Sequence, residues 1–276
     1  MVIKNRTLGY SAIQGFYWMG YASIMGFASV FLLNVGFDNS QVGLLIAAAG
    51  LLSALLQPLA AAYADRPKSM ALKWIIFLLT ALCFGGSLVL MTAGGQKIVA
   101  GLCYGLCMVL LQLTTPLVNA LGIATVNSGE KMNFGVARGF GSLGYGVAAY
   151  LIGVLTDSKG AGAVPLCMGA TLLVLLLVTL DYKKVKRIPE TPKAAAPAQG
   201  GFLHRYPRYC LVLVGLVFLF ISHVVLNSFT YQIVVYKGGD NAQMGKAMAF
   251  ASLLELPIMF LFGRMQKKVR CHVWFR

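Results

Sequence analysis

"NFGVARGFGSLGYGVAAYLIG", residues 133–153, holds a G-x-G-x-x-G run at 139–144 with Arg138 immediately before it. In a soluble βαβ unit such a run would cradle a dinucleotide pyrophosphate, with a strand ahead of the glycines and an acid about 20 residues on. Here the glycines lie inside an apolar stretch, and the next acid, Asp157, follows its end. The nucleotide reading fails on these flanks. On a helix, Gly135, Gly139, Ser142, Gly146 and Ala149 recur at three- and four-residue steps, a stripe of small residues of the kind that lets helix backbones approach closely in lipid. Packing explains the glycines and leaves Arg138 without an explanation.

The rest of the chain supplies the membrane. Of 276 residues, 58% are hydrophobic and 11% charged, against about 25% charged in a soluble domain. Stretches at 11–33, 41–63, 72–93, 98–121, 136–156, 164–180, 210–235 and 243–263 each approach the length of a membrane span. The first is too long for a cleaved signal peptide and lacks an A-x-A site, so it reads as a retained helix.

The net charge of +15 is explained by topology rather than by nucleic acid. Lys4, Arg6, Arg66, Lys68, Lys73, Lys131, the run from Lys183 to Arg208 and the run from Arg264 to Arg276 all fall on one side. Lys97, Lys159, Lys237 and Lys246 fall on the other, and Arg138 lies between. By the positive-inside rule the N-terminus and the segment after the sixth span are cytoplasmic. Cysteines such as those of "CYGLC", Cys103 and Cys107, lack a second ligand pair for zinc and read as packing residues. No metal or cofactor is expected.

"GFDNSQVG" (36–43) and "GGDNAQMG" (238–245) share Gly, Asp, Asn, Gln and Gly in register. Each opens a helix, with Asp and a Gln three residues later suited to a capping box. The repeat implies two related halves: a six-helix unit over 1–181, a Pro- and Ala-rich basic linker over 182–208, and the first two helices of a second unit over 209–276. By that logic the second half stops after two helices.

Ionisable groups within the apolar stretches are the functional candidates. Arg138 either snorkels to the interface or faces a cavity, with Tyr145 on the same helix face. Glu255 is the one acid well inside a helix, and as a buried carboxylate it would suit proton uptake and release. His223 would assist it or simply hydrogen-bond between helices. Asn119, Gln112 and Gln57 offer neutral hydrogen bonds, and Tyr17, Trp18 and Tyr21 offer aromatic surface.

At these residues the sequence resembles the lactose-permease-like oligosaccharide/proton symporters and their relatives in the major facilitator superfamily. The likeness is carried by "SQVGLLIAAAGLLSALLQPLAAAYADRP", "NFGVARGFGSLGYGVAAYLIG" and "LLELPIMFLFGRMQKK". It implies an all-α bundle of twelve helices with pseudo-twofold symmetry, working by alternating access as a monomer in the cell membrane. In the sugar carriers the arginine matching Arg138 binds substrate hydroxyls, and the aromatic matching Tyr145, usually tryptophan, stacks on the sugar ring. Asp65 and Arg66 match the charged positions of the loop between helices two and three, although Ala61 and Ser69 replace its usual glycines. The helix-four glutamate of the sugar carriers is absent, with Asn119 at that level, and Glu255 lies about one turn beyond their helix-eight glutamate.

The sequence therefore reads as a secondary transporter, not an enzyme. It would use the proton gradient, without a cofactor, to carry a small polar solute of sugar, nucleoside or organic-anion type. Arg138, Tyr145 and Asn119 would bind the solute, and Glu255 with His223 would couple the proton. A truncated, inactive fragment is the alternative, and sodium coupling stays open. An intramembrane hydrolase using Ser142 and His223 is disfavoured because no oxyanion motif accompanies the serine.

Overall fold

A computed structural model describes residues 5–66, 68–93, 95–185 and 206–268, with side chains as far as residue 257. Most of the expected linker and the basic end at 269–276 lie outside the described residues. Those described form α1 (Arg6–Tyr21), α2 (Ala28–Asn34), α3 (Asn39–Asp65), α4 (Leu72–Ala93), α5 (Lys97–Asn127), α6 (Phe134–Lys159), α7 (Ala163–Asp181), α8 (Pro207–Tyr236) and α9 (Asn241–Lys268), with no strand.

Helices α3 to α8 are each long and apolar enough to cross a membrane, and α1 with α2 forms a further span bent by 43°. The first expected span is thus broken. A π-helical turn, Ala22–Gly26, and a kink at Phe27 separate its two parts. The expected eighth span is helical within α9 but does not reach the same apolarity among the described residues. Lys246 and Glu255 interrupt it, and Ser252 and Glu255 line a cavity.

α1 is the centre of the packing, against α6 on one side and α7 on the other, while α4 packs on α5 and α7. Tyr10, Ile13 and Tyr17 of α1 are almost fully buried. Their phenols are satisfied by backbone: Tyr10 Oη donates to the Val118 carbonyl and Tyr17 Oη to that of Leu111, each at 3.0 Å. Such pairing is required where no water competes. At Gly144 a Cβ would stand 2.5 Å from the Gly15 carbonyl oxygen, so α1 and α6 cross with backbones in contact. By contrast α8 has no buried residue, and only its C-terminal part, through Ser228, Tyr231, Gln232 and Val234, packs against the bundle.

The repeat is visible in the backbone. α2 and α8 end in the same turn: Gly36 has φ 98° and Gly238 has φ 78°. Phe37 N donates to the Leu32 carbonyl and Gly36 N to that of Leu33, just as Gly239 N donates to Val234 and Gly238 N to Val235. This paired pattern is a Schellman cap, which needs a left-handed residue and so favours glycine. Asp38 and Gln41 then form a complete capping box at α3. At α9, Gln243 N donates to Asp240 Oδ1 at 2.7 Å.

Two further donors of the first turn of α9 go to α6. Asn241 N and Ala242 N donate to the two carboxylate oxygens of Asp157, at 3.1 and 2.7 Å. Below that cap Gly153 meets Gly245, Gly146 meets Ala249, and the Ser252 hydroxyl donates to the Ser142 carbonyl. The expected small-residue stripe is therefore the α6–α9 seam from Ser142 through Gly146 and Ala149, extended to Gly153. Gly135 does not belong to it, being exposed before the seam begins. Removing the cap by Asp157→Ala is expected to cost about 1 kcal/mol. In detergent the thermal midpoint should fall by about 2–4 °C; an unchanged midpoint would mean that the cap contributes nothing.

At the opposite end Arg6 ties the bundle together. It donates to the Lys183 carbonyl at 2.9 Å and to Glu130 Oε1 at 3.0 Å, and stacks over Tyr182. The guanidinium holds the exposed Glu130 carboxyl below its usual range. Lys73 Nζ donates to carbonyls at the end of α7, Leu180 at 3.0 Å and the C-cap Tyr182 at 2.6 Å.

Candidate functional site

A cavity of about 470 Å³ lies between α1, α3, α5 and α6 on one side and α8 and α9 on the other. Its walls include Trp18, Tyr21, Met25 and Gly26 from the first span, Gln112 from α5, and Arg138, Ser142 and Tyr145 from α6. His223, Asn227 and Ser228 come from α8, and Met248, Ser252 and Glu255 from α9. The broken first span makes one wall. Gly26, inside the π-helical turn, faces Met248 and the Tyr145 hydroxyl, and a Cβ there would stand 2.8 Å from Met248 Cε, which would have to move. A π-helical turn at a site wall is a recurrent functional feature.

Arg138 is half-buried, with its Cζ 4.6 Å from the centre of the Trp18 ring. It is among the residues that line the cavity. One turn further along α6, Ser142 Oγ donates to Glu255 Oε2 at 3.0 Å. A cation from α6 and a carboxylate from α9 thus border the same space, the carboxylate accepting from a hydroxyl of α6.

Several expectations need correction. Glu255 is exposed rather than buried, because it opens onto the cavity. Any proton role therefore rests on the cavity and on Ser142, not on exclusion from solvent. Asn119 is absent from the lining; its amide oxygen accepts from Gln14 Nε2 at 3.4 Å, behind the cavity wall. The α5 residue on the wall is Gln112, two turns away, whose Nε2 has no hydrogen-bond partner among the described residues. Gln57 supports it from α3, donating to its carbonyl at 3.2 Å. His223 does line the cavity and pairs with Asn227, whose Nδ2 lies 3.1 Å from its Nε2. Asp65 and Arg66 close the far end of α3, where Arg66 is the C-cap, and do not border the cavity.

Two residues have a place at the site that the sequence reading does not give them. Ser142 enters the sequence reading as a small seam residue and as a disfavoured nucleophile, yet its hydroxyl hydrogen-bonds Glu255. Gln14 is fully buried and bonded to Tyr10, Trp18 and Asn119. The available signal was its spacing: an amide one turn before a tryptophan in "QGFYW" shares that residue's helix face.

Residues 10–274 match the MFS_1 like family. The chain belongs to that family. It is accordingly a multi-pass membrane protein of a transporter family, and not an enzyme. No curated protein matches it in sequence. Among solved structures, the nucleoside transporter NupG is similar over 95% of this chain and 68% of its own, with 15% identity and a TM-score of 0.68. A point variant of NupG aligns over 96% and 69%, with 13% identity and a TM-score of 0.74. These likenesses establish the shared fold of the helix bundle.

Proposed function

We propose that the chain works as a proton-coupled symporter of a small polar organic solute, of sugar, nucleoside or organic-anion type, by alternating access. The observation that carries this reading is the cavity lined by both Arg138 of α6 and Glu255 of α9, the latter hydrogen-bonded to Ser142 of α6. Solute acceptor groups would meet the Arg138 donors while a ring packs beside Tyr145. Glu255, assisted by His223, would take the proton. Glu255 stands on α9 at its seam with α6, so its charge state can bias that seam between two arrangements, which is what coupling requires. The nucleoside named for the similar solved transporter favours testing that class first.

The basic residues at the Arg6 end support a cytoplasmic N-terminus in a cell membrane. A monomer would suffice, and no cofactor is needed when the proton gradient supplies the energy. The test uses proteoliposomes offered uridine, lactose and gluconate in turn. One of them should accumulate under an inward proton gradient, collapse on adding a protonophore, and persist when sodium is replaced. Accumulation that follows sodium, or none with any solute, would overturn the reading.

A further inference from the structure

Arg138 makes no ion pair with any described residue, although the Glu255 carboxylate borders the same cavity, and a described partner in contact with it is an aromatic face. That face belongs to Trp18, and the indole is itself fixed from behind by Gln14.

The orientation of the Gln14 amide follows from its neighbours. Tyr10 Oη spends its proton on the Val118 carbonyl, so towards Gln14 it can only accept. Gln14 Nε2 donates to it at 2.7 Å and to Asn119 Oδ1 at 3.4 Å. With both amide protons directed there, Oε1 is left facing the Trp18 N–H at 3.0 Å. Gly141 completes the slot: a Cβ there would stand 2.6 Å from Trp18 Cδ1 and 3.0 Å from Arg138 Nη1. The indole can therefore lie flat between α1 and α6 with its face beneath the guanidinium. Stacking attracts a guanidinium through the ring quadrupole and leaves its charge and in-plane donors free.

We propose that Gln14 is a positioning residue which, through the Trp18 N–H, keeps Arg138 stacked and un-neutralised, so that the cavity recognises a solute by an electron-rich acceptor group. This rests on the cavity being the solute site, and the test separates the two ideas by needing no solute.

In the full chain, Trp74→Phe and Trp274→Phe leave Trp18 as the sole tryptophan. Its fluorescence is quenched in nanodiscs by iodide, which is drawn to an unpaired cation, and by neutral acrylamide, which reports access alone. Arg138→Gln should lower the ratio of iodide to acrylamide quenching. Gln14→Met, of similar length but without the acceptor, should lower it to the same level, with no further fall when combined with Arg138→Gln. Asn119→Leu removes the longest Gln14 contact but not the Oε1 bond, and should keep the parental ratio. A parental ratio in Gln14→Met overturns the proposal, as does an equal fall in Asn119→Leu, which would mean that the packing has simply loosened. If the quenching behaves as expected while no solute is accumulated, the symporter reading falls and the positioning role stands.

Discussion

Arg138→Gln is expected to abolish measurable uptake of whichever solute the intact protein accumulates. A hydrogen bond to a charged group contributes about 1.5–3 kcal/mol. Losing a two-donor contact would weaken solute binding by about a hundredfold or more, at 1.4 kcal/mol per factor of ten. Arg138→Lys should recover little. The Arg138 guanidinium is planar and lies over the Trp18 ring, whereas an ammonium is a point charge that cannot stack flat or present paired donors. Initial uptake rates over a range of solute concentrations, corrected for the amount of protein in the membrane, would measure this. Uptake by Arg138→Gln with an unchanged KM would remove Arg138 from the binding site.

Much of this architecture was legible in the sequence because lipid constrains it so strongly. A helix must satisfy its own backbone in hydrocarbon, so apolar stretches of span length translate directly into helices. The repeat was legible for a different reason. Gly36 and Gly238 stand where only a left-handed residue closes the helix, and Asp38 with Gln41 stands where free N–H groups need an acceptor. The break at Ala22–Gly26 was not legible, since no proline marks it and the sequence there is as apolar as its surroundings. The approach of Met248 and Tyr145 to Gly26 at the end of that break is a tertiary feature that no local pattern signals.

The site was legible where a residue conflicts with lipid. Arg138 and Glu255 stood out because a charge in hydrocarbon is expensive. Neutral polar residues carry no such conflict, so Gln14 does not stand out, while Asn119 does so only by its match to the level of the sugar carriers' helix-four glutamate. Both lie in apolar helices at the same depth, and only the packing of α1 against α5 decides that Asn119 braces Gln14 behind the wall. Ser142 was hidden by its own second use. A serine serves a close helix seam as well as glycine does, and nothing local indicates that its hydroxyl reaches Glu255 across that seam.

Glu255→Gln gives the second large effect, on energy coupling and not on recognition. The amide keeps the shape of the carboxyl and can still accept from Ser142 Oγ, which donates to Glu255 Oε2 at 3.0 Å. It cannot release a proton, so it imitates the protonated carboxyl permanently. Exchange of internal for external solute needs only the loaded, protonated form to move between its two orientations, and should persist. Net accumulation also needs the empty carrier to return, which requires the carboxyl to lose its proton and the α6–α9 seam to respond to the new charge. Glu255→Gln should therefore bring accumulation down to simple equilibration while leaving exchange near the parental rate. Glu255→Asp separates charge from reach: it keeps the titrating group but withdraws it by one methylene from Ser142, and should accumulate solute slowly. Unchanged accumulation by Glu255→Gln would exclude Glu255 as the proton carrier. Loss of exchange together with accumulation would mean that Glu255 binds the solute itself, because only a binding role makes the carboxylate necessary to the loaded step.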